Sequence, residues 1–90
     1  MTKEKKVAPE KQEIELSDGT KVTVTEPTTP QVRRSRDFAG THPADVYLYV
    51  ISECCEFDGE KLAPDELDNL RARDYLYVEG CVRELLGEKN

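Results

Sequence analysis

The chain has 90 residues and a mass of 10.2 kDa, with 13 basic and 19 acidic residues giving a net charge of -6. With 37% apolar and 36% charged residues, it has material for one small domain and little room for a deep substrate cleft. Its longest apolar run, Val46 to Ile51, falls far short of the ~20 residues of a membrane helix, and the acidic balance disfavours phosphate-led binding of nucleic acid.

The charge is uneven. Residues 1–13 carry four lysines and three glutamates, a net of +1, and the remainder carries nine basic and sixteen acidic residues, a net of -7. The leading segment MTKEKKVAPEKQE has no apolar stretch of the kind a secretory signal needs. It offers too little apolar surface to offset its ordering entropy. The expected organisation is a disordered arm over 1–13, one folded domain over 14–87 and a disordered tail over 88–90. A domain of that size sits near the lower limit for an unassisted core.

The first expected element is a hairpin. Ile14, Leu16, Val22 and Val24 alternate with polar residues on both sides of Ser17-Asp18-Gly19-Thr20. The Asp-Gly pair predicts a type I′ turn, which needs positive φ at both central residues. Next, Thr29 reads as an N-cap and Pro30 as the first position of a helix that stops at Gly40. Thr41-His42-Pro43 opens a second helix, Asp45 to Cys55. Its Val46, Tyr49, Val50, Cys54 and Phe57 step by threes and fours, with Gly59 as terminator. Pro64-Asp65-Glu66-Leu67 opens a third, with acids in the first turn where the helix dipole favours them. Tyr75, Val78, Val82 and Leu85 form one stripe of a last helix that starts near Arg71 or Arg73 and ends at Gly87. The pattern leaves open whether the last two helices are continuous. The fold class is α+β: an N-terminal β-hairpin packed on three or four short helices.

Reactive chemistry is sparse. His42, the only histidine, lies in a capping segment and reads as an exposed loop residue. Cys54, Cys55 and Cys81 form no C-x-x-C pair and read as free thiols in a reducing compartment. The stretch from Cys54 to Asp65 grazes a calcium-loop pattern, but Cys54, Lys61 and Asp65 stand at the wrong positions. Arg33, Arg34 and Arg36 read as ion-pair donors for the chain's own carboxylates. No catalytic, cofactor or metal site emerges, and an enzyme is not expected. The tyrosines are more informative. Tyr47 and Tyr49 point to different helix faces, as do Tyr75 and Tyr77, so one of each pair can reach a partner.

Taken in order, "IELSDGTKVTV", "TEPTTPQVRR", an apolar helix and "LDNLRARDYLYVEGCVRELLG" resemble the small tail assembly chaperones of contractile-tailed bacteriophages and prophages, the group that includes those of phages P2 and Mu. The quoted features are Leu16-Ser17-Asp18-Gly19, Glu26-Pro27-Thr28 and Asp74-Tyr75-Leu76. The similarity spans roughly 13–87. The Cys54-Cys55 pair and the lysine-rich arm lie outside the pattern. The resemblance implies a non-enzymatic assembly factor in the host bacterial cytoplasm, without cofactor. It would bind the tape measure protein while tail tube subunits polymerise, and would be absent from the finished particle. It extends the implied partners to the tail tube protein and to a longer, frameshifted form of the chain itself. Glu88-Lys89-Asn90 is permissive for a slippery A-AAA-AAC run in the gene. Neither nucleic acid nor membrane is an expected partner.

Tyr47, Ile51, Tyr75, Leu76 and Tyr77 are the candidate partner-binding residues, on the second helix and on the last helix, which carries the Tyr75–Leu85 stripe. An amphipathic helix could dock there through anchors at i, i+3, i+4 and i+7. Two other classes stay open: a minor structural tail component, and a small acidic adaptor domain binding a host protein.

Overall fold

The computed structural model describes residues 9–88. An antiparallel sheet of three strands, β1 (Lys11–Glu15), β2 (Lys21–Thr25) and β3 (Cys55–Phe57), has β2 at its centre. Four helices accompany it: α1 (Thr29–Ala39), α2 (Val46–Cys54), α3 (Pro64–Leu67) and α4 (Ala72–Leu85), with a 3-10 turn over Pro43–Asp45. The α+β class and the N-terminal hairpin are as expected. Among the described residues, no helix is long and apolar enough to cross a membrane.

The hairpin starts earlier than the alternation suggested. Lys11 pairs with Thr25 and Glu13 with Thr23, and Glu26 N–H donates to the Glu10 carbonyl at 2.8 Å. Residues 11–13 therefore belong to β1 and not to an arm. Residues 1–8 of the expected arm and residues 89–90 of the expected tail lie outside the described residues. The turn also differs. Gly19 has φ 91°, but Asp18 does not have positive φ. Gly19 N–H donates to Leu16 C=O and Leu16 N–H to Thr20 C=O, both at 2.9 Å. This is a three-residue loop with glycine at its left-handed position. The Asp18 carboxylate accepts from Thr20 N–H at 3.0 Å, and its bonds to Thr20 hold its pKa below the usual carboxylate value.

The α1 cap is Thr28, one residue before the expected Thr29. Its hydroxyl accepts from Gln31 N–H at 3.2 Å, and the Gln31 side chain accepts from Thr28 N–H at 2.9 Å. This reciprocal capping box satisfies two end donors. Pro30 lies in the first turn and Gly40 ends the helix.

The largest departure is at Cys55–Phe57. The three-and-four spacing placed Phe57 on the second helix. Instead α2 ends at Cys54, and the chain passes directly into β3, with Val22 opposite Phe57 and Val24 opposite Cys55. The turn that follows has positive φ at both Asp58 (51°) and Gly59 (87°). Phe57 and Glu60 exchange both backbone hydrogen bonds across it, at 2.7 and 3.1 Å. The type I′ geometry expected at Asp18-Gly19 thus occurs at the second Asp-Gly, where Gly59 looked like a helix stop. The rejected calcium stretch is this strand and turn.

The last two helices are separate. Leu67 ends α3, and α4 begins at Ala72 after a turn closed by Asn69 and Leu70 N–H bonds. One face of the sheet supplies Ile14, Val22, Val24, Cys55 and Phe57 to the core. These meet Val50, Ile51 and Cys54 of α2, Leu67 of α3, and Val78, Cys81 and Val82 of α4. The register puts Ile14, Val22 and Phe57 side by side, so one apolar row crosses all three strands.

Two of the motifs behind the family resemblance meet in space. Asp74, buried in the first turn of α4, accepts from Ser17 N–H at 3.1 Å and from the Ser17 hydroxyl at 2.7 Å. This bracket pins the hairpin loop to the start of α4 across 57 positions of sequence.

Candidate partner-binding surface

Helix α4 divides into two faces. Asp74, Val78, Cys81 and Val82 are buried, and Tyr75 and Leu85 pack partly against the core. The Tyr75–Leu85 stripe is therefore an inner face, filled by the protein itself. Leu76 and Tyr77 lie on the other side, 62% and 49% exposed. They are two of the three large exposed hydrophobic residues among those described.

The five candidate residues do not share one surface. Ile51 is fully buried, so it cannot touch a partner without unfolding. The Val46–Ile51 run presents two adjacent core residues, Val50 and Ile51, and its three-and-four periodicity alone could not show which of them faced out. Tyr47 is half-buried and lines a groove of about 400 Å³ with Val32, Pro43, Val46 and Leu86. The Arg83 guanidinium lies 4.1 Å from the Tyr47 ring centroid, and the Tyr47 hydroxyl donates to Glu88. Arg83 also pairs with Glu79 and Glu88, each at 2.9 Å. Tyr47 thus helps hold the end of the described chain against α2. Burial, then the bond to Glu88, raises its pKa.

Tyr75 lines a second groove of about 420 Å³ with Leu48, Leu67 and Leu70. Asp45, Asp68 and Glu79 rim it. Burial, and then the carboxylates of Glu79, Asp45 and Asp68, push the Tyr75 hydroxyl up to about 12. An apolar floor beneath acidic edges suits a segment with apolar anchors and basic flanks.

A third apolar feature was not legible in the sequence. The rings of Phe38 and Tyr49 pack 5.7 Å apart at 46°, beside Pro64. Phe38 is 58% exposed. Tyr49 belonged to the expected buried stripe of α2, but α1 turns only the small Ser35 and Ala39 inward, and Tyr49 packs at the surface against Phe38. The faint signal was the lone large aromatic in a polar helix.

The reactive residues are placed as follows. His42 is exposed in the connection after α1. Cys54, Cys55 and Cys81 are free and buried. The sulfurs of Cys54 and Cys55 lie 3.7 Å apart. The Cys54 sulfur, together with burial, pushes the Cys55 thiol up, which leaves it protonated and inert as packing. Arg34 pairs with Glu53 at 2.7 Å. Arg33 and Arg36 have no ion pair among the described residues. No cluster of three metal-ligating side chains occurs among the described residues. What these described residues offer is contact area: the grooves at Tyr47 and Tyr75, the Phe38–Tyr49 patch and the outer face of α4. No family model, characterised protein or solved structure matches the chain.

Proposed function

We propose that this domain is a non-enzymatic protein-binding module, a tail assembly chaperone of a contractile-tailed phage or prophage. It holds the tape measure protein in the host cytoplasm during tail assembly, while tail tube subunits polymerise. The observation that carries the reading is the outward pair Leu76 and Tyr77 on α4, the last residue of the family-like segment Asp74-Tyr75-Leu76 and the residue that follows it. Exposed Leu and Tyr on an outer helix face give weak, reversible contact with apolar helical segments. The net charge of -6 keeps the free protein soluble at the concentrations assembly needs.

The test is co-expression with the tape measure protein of the same genome, followed by pull-down. The double substitution Leu76→Asp and Tyr77→Asp should abolish recovery of the tape measure protein. Both side chains are exposed, so the fold should change little in stability, within about 1 kcal/mol. Undiminished recovery with the double variant refutes this surface. Mass spectrometry of purified tails gives a second check, because a chaperone is absent from the finished particle and a minor tail subunit is present.

A further inference from the structure

Gly80 stands in the interior of α4 without a reason inside the domain. Its backbone does not have positive φ, and a Cβ built on it meets nothing within 4 Å. Glycine in a helix interior costs about 1 kcal/mol relative to alanine. A bare backbone at an exposed helix position is what a closely approaching second backbone or a ring requires.

The residues around Gly80 identify the second element. Arg73, Tyr77, Gly80 and Glu84 are all exposed. At 100° per residue they fall within an arc of about 60°. They form one straight outer seam, flanked by Leu76. Arg73 and Glu84 have no ion pair among the described residues. The seam is also self-complementary when reversed. A two-fold axis crossing α4 midway between positions 78 and 79 brings position 73 opposite 84 and position 77 opposite 80. The same axis therefore puts a cation against an anion and a large ring against a gap, twice over. A parallel pairing would set Arg73 against Arg73 and Glu84 against Glu84.

We propose that α4 is a self-pairing helix. Two copies of this chain dock antiparallel about that axis, with Tyr77 of each resting on Gly80 of the other and Arg73 of each ion-paired with Glu84 of the other. This is an isologous interface, in which one patch serves both sides. A single helix pair is small, so the dimer belongs to the weak, transient class. The inference stands on the geometry of α4 and not on the client reading. If both hold, a second copy shields Leu76 and Tyr77 until a client segment displaces it.

Charge reversal of the intact chain tests it, by sedimentation equilibrium from about 1 μM to about 1 mM in low salt. The wild-type mass should rise from 10.2 kDa to twice that value. Arg73→Glu and Glu84→Arg should each remain monomeric, because each sets like charges opposite one another. Mixing these two variants in equal amounts should restore the doubled mass, because every seam pair is then of opposite sign. That recovery also shows that both variants are folded. A wild-type chain that stays monomeric throughout, a single variant that still dimerises, or a mixture that stays monomeric overturns the proposal. No client is present, so these results bear on self-pairing alone.

Discussion

Replacing Asp74 with alanine breaks the polar bracket between the hairpin loop and α4. Asp74 is 6% exposed and accepts two hydrogen bonds from Ser17, at 3.1 and 2.7 Å. A hydrogen bond to a charged group contributes about 1.5–3 kcal/mol. Ser17 itself is exposed, so its freed donors can return to water, and the lower end of that range applies to each bond. The lost first-turn carboxylate removes a further ~0.5 kcal/mol of helix-dipole stabilisation. The expected loss is about 3.5 kcal/mol. A domain of this size has only about 4–12 kcal/mol in total. At roughly 4–8 °C per kcal/mol for a small domain, the melting midpoint should fall by about 14–28 °C. The assay is thermal and urea unfolding at low micromolar concentration. Ser17→Ala removes only the hydroxyl bond and should cost about 1.5 kcal/mol. In the Asp74→Ala background it should cost almost nothing, which gives a coupling of about 1.5 kcal/mol in a double-mutant cycle. An Asp74→Ala chain within about 0.5 kcal/mol of the parent, or strictly additive losses, would refute the bracket.

Other perturbations have signs fixed by the structure. Ile51→Ala should cost about 2–5 kcal/mol in urea unfolding, because the side chain is fully buried; a near-neutral change would return Ile51 to the surface. Gly80→Ala should stabilise the dilute monomer by about 0.5–1 kcal/mol, since its Cβ meets open space, while the doubled mass at high concentration should be weakened. Tyr75 ionises at about 12 in the folded state, raised from 10.0. Its stabilisation is therefore fully present below about pH 10 and is lost as pH rises from there towards 12. Urea midpoints measured from pH 8 to 11.5 should show that decline in the parent and a shallower one in Tyr75→Phe.

The hairpin, the α1 stop at Gly40, the start of α3 at Pro64 and the extent of α4 were legible because each rests on local chemistry: alternation, proline at a helix start, glycine past a helix end. The candidate surface was legible only in part. Leu76 and Tyr77 fall outside the Tyr75–Leu85 stripe, so the stripe's own periodicity implied that they face away. Which side of that helix met the core could not be read from α4 alone. The stripe by itself reads as an available surface, because nothing in it shows that a sheet lies beneath. Ile51 failed for the same reason. A mostly apolar segment such as Val46–Ile51 has no polar face to orient it.

The two Asp-Gly pairs show where local sequence stops. Both mark turns, but Asp18-Gly19 sits in a three-residue loop and Asp58-Gly59 in a two-residue turn. The difference comes from what each loop must join. The first is clamped by Asp74 on α4. At the second, Asp58 exchanges bonds with Lys21, its N–H donating to the Lys21 carbonyl and its carboxylate accepting from Lys21 N–H. The same strand pairing made Cys55–Phe57 a strand, although its spacing continued a helix. Length, charge and turn chemistry thus determined a small acidic α+β domain, since these depend on neighbours in the chain. Tertiary structure decided which apolar residues remain outside, because burial is settled by neighbours distant in the chain: the sheet packs against α2 and α4, α1 packs against α2, and Leu76, Tyr77 and Phe38 are left uncovered.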